Sequence, residues 1–192
     1  MRKLLFGAAV ALMGAALVAA PGDAQATTFK ELTEAERVDL ADMIVRGTVT
    51  EVWTERDDRG VIWTRAQVEV SSVLKGDATI DALIVDQLGG EWAGLRMQVG
   101  GAARFSAGED AVLFLANQET NGRVLLQSMG LGKWTVRIDP HSGQEIVQRF
   151  MPPMNEDYDH RFIPAPAKED RLFFADFEDR IVSRAQAPAE VK

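Results

Sequence analysis

The chain predicts a mainly β protein: a small barrel or sandwich of about 6–7 antiparallel strands, with one helix before it and one after. Three observations carry this reading. Apolar and polar side chains alternate with period two in Ile62–Leu74 and Lys133–Ile138. Turn signals punctuate the runs at Asp57-Asp58-Arg59-Gly60, Lys75-Gly76-Asp77, Asn121-Gly122 and Asp139-Pro-His-Ser-Gly143. After a proline-rich stretch the period changes to 3.6, with Phe173, Phe174, Phe177, Ile181 and Ala185 on one helical stripe.

The first 26 residues are read as a leader. Arg2 and Lys3 give a positive start, an uncharged Ala- and Leu-rich run extends from Leu4 to Ala20, and Ala24-Gln25-Ala26 has the small-x-small pattern that a signal peptidase cleaves. The run is shorter than the ~20 residues a spanning helix needs and is diluted by Gly7 and Gly14, which argues against a retained anchor. Cleavage before Thr27 shortens the 192 residues to 166, one domain with its own core. It also removes two bases and one acid, moving the net charge from −8 to −9. Such a chain is expected to be periplasmic or secreted, with no membrane span after cleavage. Its charge lacks the electrostatic footprint of a nucleic-acid binder. With no cysteine, neither disulfides nor thiol chemistry contribute, and core packing alone must hold the fold.

The elements follow in order. Thr28-Phe-Lys-Glu31 and Thr33-Glu-Ala-Glu36 both fit a capping box, so a short helix is expected over 29–41 from one of these caps. Met43–Glu55 is rich in β-branched residues, with Gly47 marking a bulge or bend. In the next strand Ile62, Thr64, Ala66, Val68, Val70, Ser72 and Leu74 face one way, and Trp63, Arg65, Gln67 and Glu69 the other. A third strand is expected over 79–88. Residues 89–110 hold clustered glycines and no period, a long loop with a short strand at 96–99. Ala111-Val-Leu-Phe-Leu-Ala116 is apolar on both faces and is the expected most buried strand. Strands at 123–129, 133–138 (Trp134, Val136 and Ile138 inward) and 144–148 complete the β domain, 27–150. An acidic, proline-rich linker spans 151–167, a helix packed on the barrel 168–185, and a tail 186–192.

The inventory for catalysis is thin. There are two histidines, His141 and His160, and no HExxH, G-x-S-x-G or phosphate-loop spacing, so no catalytic residue, metal ligand or cofactor is assigned. His141 reads as a polar turn residue. His160 follows Asp157 and Asp159 in a stretch that lacks the spaced ligands of a calcium loop. The loop Gly89–Gly108 is the best binding candidate, carrying Glu91, Trp92, Arg96 and Met97. The rival reading makes it a flap that closes one barrel end with Trp92 as plug. Trp63, on the polar face of its strand, joins the candidate set. The phenylalanine stripe reads as helix packed on its own barrel, with a partner-docking face as the alternative.

One series of segments resembles a group of uncharacterised exported bacterial proteins: Leu40-Ala-Asp-Met-Ile-Val-Arg-Gly-Thr-Val49, Val68-Glu-Val-Ser-Ser-Val-Leu-Lys-Gly76, Leu88-Gly-Gly90, Phe105-Ser-Ala-Gly-Glu109 and Val112-Leu-Phe-Leu115. Their barrel is similar to the OB-type domain of the tissue inhibitors of metalloproteinases and netrin modules. The resemblance covers residues 38–138 and implies an OB-like barrel. The inhibitors' mechanism does not carry over, because it uses an N-terminal cysteine on the protease zinc and this chain has none. The function expected is a non-enzymatic binding module for a protein or peptide of the envelope or exterior. The alternatives are an envelope enzyme or metal-dependent protein using Glu91 or the Asp157–His160 stretch, and a structural envelope protein.

Overall fold

A computed structural model describes residues 32–117, 122–151 and 168–187. The expected leader, the Asn121 turn position, the Asp157–His160 stretch and the tail beyond 187 lie outside these residues.

The Thr28–Glu31 cap lies outside the described residues, and the Thr33 cap is formed. The Thr33 hydroxyl accepts from the Glu36 amide, and the Glu36 carboxylate accepts from the Thr33 amide at 2.8 Å, so α1 is Glu34–Leu40. Lys75 caps the other end, its ammonium donating to the carbonyls of Val38 (2.7 Å) and Ala41 (2.6 Å), which the end of the helix leaves without amide partners.

The strands are β1 Met43–Arg56, β2 Ile62–Lys75, β3 Ala82–Leu88, β4 Gly90–Trp92, β5 Leu95–Met97, β6 Asp110–Asn117, β7 Val124–Leu126, β8 Lys133–Ile138, β9 Glu145–Met151 and β10 Lys168–Phe173. Five of them close a barrel in the order β1-β2-β3-β7-β6, with β6 returning to β1. All pairings are antiparallel except β3 with β7, which is parallel and consists of the single pair Asp86↔Leu125. This is an OB-like closure, firm everywhere but at one seam. β8 pairs with Ala111–Leu113, the stretch of the β6 edge that β7 leaves open, and β9 and β10 extend it as a blade; β4–β5 form a separate hairpin.

β6 is the central strand, and its two apolar faces serve two cores. Ala111, Leu113 and Leu115 fill the barrel with Val45, Val49, Ala66, Val68, Val85 and Leu126. Val112 and Phe114 face outward, into a second core with Ile44, Trp134, Val136 and Val147 under α2, Phe174–Gln186. Phe177 is fully buried there, its ring 4.8 Å from Trp134 and 6.3 Å from Phe114.

Several expectations are corrected. Residues 168–173 pair with β9 as β10, so the final helix begins at Phe174 and not at Lys168. Phe173 therefore ends a strand and is 46% exposed, leaving the buried stripe as Phe174, Phe177 and Ile181. Ile138 is 60% exposed, because it pairs at the tip of the β8–β9 hairpin beyond the cover of α2. In β2 the alternation changes phase: Arg46↔Ser72 and Gly47↔Val70 leave Ser71 as an extra residue, so Val73 joins Val70 in the barrel and Leu74 joins the outer core. A similar shift at Thr50 puts both Val49 and Val52 inside. Gly47 sits where the chains close in; a Cβ there would lie 2.4 Å from the Glu69 carbonyl. Finally, the third strand starts at Ala82 and β7 spans only Val124–Leu126.

Candidate functional site

The glycine-rich segment divides into two halves of opposite character. The first folds directly back after β3 as the β4–β5 hairpin, where a loop with a strand at 96–99 is expected. Its turn residues Ala93 and Gly94 have φ of 47° and 79°, the positive values a two-residue type I′ connection requires. Two threonine hydroxyls fasten it to the β1–β2 ladder: Thr54 donates to the Glu91 carbonyl at 2.6 Å and Thr64 to the Gly89 carbonyl at 2.7 Å. The fit is close, since a Cβ on Gly90 would lie 2.6 Å from the Thr64 hydroxyl.

The second half is a cover. Ala103 and Phe105 pack into the barrel core. The Gly101 carbonyl accepts from the Gly130 amide at 2.8 Å, and the Gln87 side chain accepts from the Ala103 amide at 3.3 Å. Lys133 lies over the Phe105 ring, donates to the Arg104 carbonyl and pairs with Glu109 at 2.6 Å. Closure of the barrel thus falls to Ala103 and Phe105. Trp92 is not the plug.

Trp92 instead stands at the hairpin tip, 38% exposed, directly opposite Leu95, which is 51% exposed. Trp53 and Trp63 are half-buried in the sheet and Trp134 is buried, which leaves Trp92 as the most exposed of the four tryptophans. Arg56, at the end of β1, donates from Nε to the Gly60 carbonyl at 3.1 Å and holds its guanidinium 5.8 Å from the centre of the Trp92 ring. Glu91 and Arg96 face each other on the adjacent register pair, and Met97 is half-buried at the hairpin base beside Gly89.

Trp63 belongs elsewhere. It neighbours Thr64 in an extended strand, so the two side chains point to opposite faces, and only Thr64 points to the hairpin. The Trp63 indole donates to Asp57 at 2.9 Å, which holds that carboxyl below its usual pKa. The Arg123 guanidinium stacks 4.2 Å above the ring. Arg123 and Arg65 both donate to the buried Asp86, at 2.7 and 2.8 Å, and Arg65 also reaches Glu55 at 3.2 Å. This cluster joins β1, β2, β3 and the start of β7 beside the barrel's one-pair seam. Its charges satisfy each other, which marks it as a clasp. The candidate set thus splits: Glu91, Trp92, Arg96 and Met97 share the hairpin, and Trp63 serves the clasp.

Two residues missed by sequence reasoning complete the tip. Leu95 adjoins a two-residue turn containing Gly94, a weak hairpin signal. Arg56 carries no local signal at all, because its approach to Trp92 depends on where β3 delivers the hairpin.

Two shallow grooves flank Phe173. One of about 320 Å³ is lined by Asp139, Arg171, Asp176 and Arg180, but Arg171 is paired with Asp139 at 2.6 Å and Arg180 with Glu34 at 2.7 Å. The Ser142 hydroxyl, the His141 amide and Arg171 hold the Asp139 carboxyl down to about 2. His141 itself projects from this turn, its side chain 91% exposed. Among the described residues no three His, Asp or Glu side chains converge as a metal site, and no helix is long and apolar enough to cross a membrane. No family model and no curated sequence matches the chain.

Proposed function

We propose that this protein is an exported, non-enzymatic binding module that engages a protein or peptide partner through the tip of the β4–β5 hairpin. One observation carries the reading: two large apolar side chains, Trp92 and Leu95, are held in solvent on a hairpin fastened to the barrel by two side-chain hydrogen bonds. An aromatic anchor fixed before the partner arrives loses little conformational entropy on docking, and tryptophan is the residue type most enriched where binding energy concentrates. The export half of the reading rests on the leader pattern ahead of Thr27.

The test compares proteins captured from envelope extract by the wild-type chain with those captured by a Trp92→Ala/Leu95→Ala chain. Each differential partner is then purified and titrated against both. The expected result is at least one partner whose affinity falls by about tenfold or more in the variant. Identical capture by the two chains removes the hairpin from the reading. A mature N-terminus other than Thr27, determined by mass spectrometry on the exported form, corrects the leader boundary.

A further inference from the structure

The charge around the tip narrows the class of partner. The chain carries a net charge of −8, and several of its described arginines are already committed to carboxylates: Arg46 to Asp110 and Glu145, Arg65 and Arg123 to Asp86, Arg171 to Asp139, Arg180 to Glu34 and Arg184 to Asp39. Arg56 is different. Its partners are a carbonyl and the face of Trp92, and among the described residues no carboxylate pairs with it. Among the described residues Arg59, one residue before the Gly60 on which Arg56 rests, closes no ion pair either, and Arg96 and Glu91, one register pair from Trp92 and Leu95, lie on the opposite face of the hairpin. Among the described residues Arg56 therefore stands with its charge unpaired on the face of the most exposed tryptophan of an acidic protein.

Resting on the binding reading above, we propose that the hairpin tip docks an extended peptide segment that places an Asp or Glu beside an aliphatic or aromatic side chain. The apolar residue would lie against Trp92 and Leu95, and the carboxylate would take the fork of Arg56, which is already oriented by the Gly60 carbonyl and the indole ring. A peptide meets both requirements in neighbouring residues. An anionic bilayer meets the charge requirement but must approach the rest of an acidic surface, and an acidic polysaccharide supplies no apolar anchor.

The experiment is a peptide library displayed on phage, selected against the purified full chain at moderate salt. Enriched peptides are synthesised and titrated against wild type, Trp92→Ala, Arg56→Gln and Arg59→Gln, with thermal melts confirming that each variant folds. Anionic phosphatidylglycerol vesicles and heparin are run as competitors. The expected outcome is enrichment of Asp or Glu next to Leu, Ile, Phe or Trp, with binding weakened about tenfold or more by Arg56→Gln and by Trp92→Ala, and further weakened by salt. Enrichment of basic or uncharged peptides that need Trp92 but not Arg56 overturns the acidic class and leaves the binding reading standing. Vesicles or heparin that bind the wild type more tightly than any peptide, through Arg56, overturn the peptide assignment. Peptides that bind Trp92→Ala as well as wild type overturn both.

Discussion

The aromatic residues beneath α2 and those at the β4–β5 hairpin meet opposite fates, although both sit where the chain folds back onto the barrel. Under α2, Phe174, Phe177 and Trp134 are buried against Val112, Phe114 and Val147. At the hairpin, Trp92 and Leu95 remain in solvent, and what fixes them is hydrogen bonding at the base. The difference teaches how to sort this molecule's large apolar residues. Those that touch both the barrel and a helix hold the fold together. Those presented on a fastened edge keep a large part of their surface open for other contacts.

The comparison can be broken at its strongest point first. Truncating the fully buried Phe177 to Ala is expected to cost about 3–5 kcal/mol, read as a large drop in thermal midpoint. An unchanged melt would mean that α2 is a docking face and not part of the core. Phe105→Ala, which removes the ring that closes the barrel, is expected to cost about 2 kcal/mol because that ring is only partly buried. A loss as large as that of Phe177 would show the cover to be as integral as α2.

The hairpin is expected to respond locally. Replacing Thr54 and Thr64 together by Val removes both fastening donors, at about 1 kcal/mol each, and should raise hydrogen exchange at the 90–97 amides while β6 stays protected. Exchange that rises equally in β6 would make the hairpin a part of the core. The α2 side also carries an acid-sensitive clasp in Asp139. Its carboxyl is depressed from 3.8 to about 2, so its stabilisation is complete above pH 5 and is lost as pH falls toward 2. The gap in thermal midpoint between wild type and Asp139→Asn should therefore be widest near neutrality and close toward pH 2. A gap that grows on acidification would reverse the assignment. The smallest effect on stability is expected for Trp92→Ala, within about 0.5 kcal/mol, as for other exposed positions.

Much of this contrast was legible in the residue order, and part of it was not. The 3.6-residue stripe identifies Phe174, Phe177 and Ile181 as buried, and the two-faced apolarity of Ala111–Ala116 identifies the strand that both cores share. The glycine-rich segment announces itself as irregular by composition. Its division into a fastened hairpin and a closing cover is not announced, because it depends on Thr54, Thr64, Gln87 and Gly130, all outside the segment itself. Expecting Trp92 as plug failed for that reason: Ala103 and Phe105 reach the barrel opening first, and the space is theirs.

What the sequence by itself determined is local: a capped helix ahead of the strands, the runs of alternating strand residues, the turns that separate them and the face the final helix buries. Those features depend on residues within a few positions of each other, where backbone geometry leaves few choices. Tertiary structure decided the rest. The bulges at Thr50 and Ser71 set which valines enter the barrel, since one extra residue reverses every side chain beyond it. Pairing with β9 drew residues 168–173 out of a helical pattern and into β10, because a strand edge with free amides and carbonyls outweighs the modest propensity of a short helical turn. The meeting of Arg56 with Trp92, and of Asp86 with Arg65 and Arg123, followed from closure of the barrel, which brings to a few ångströms charges that the sequence holds tens of residues apart.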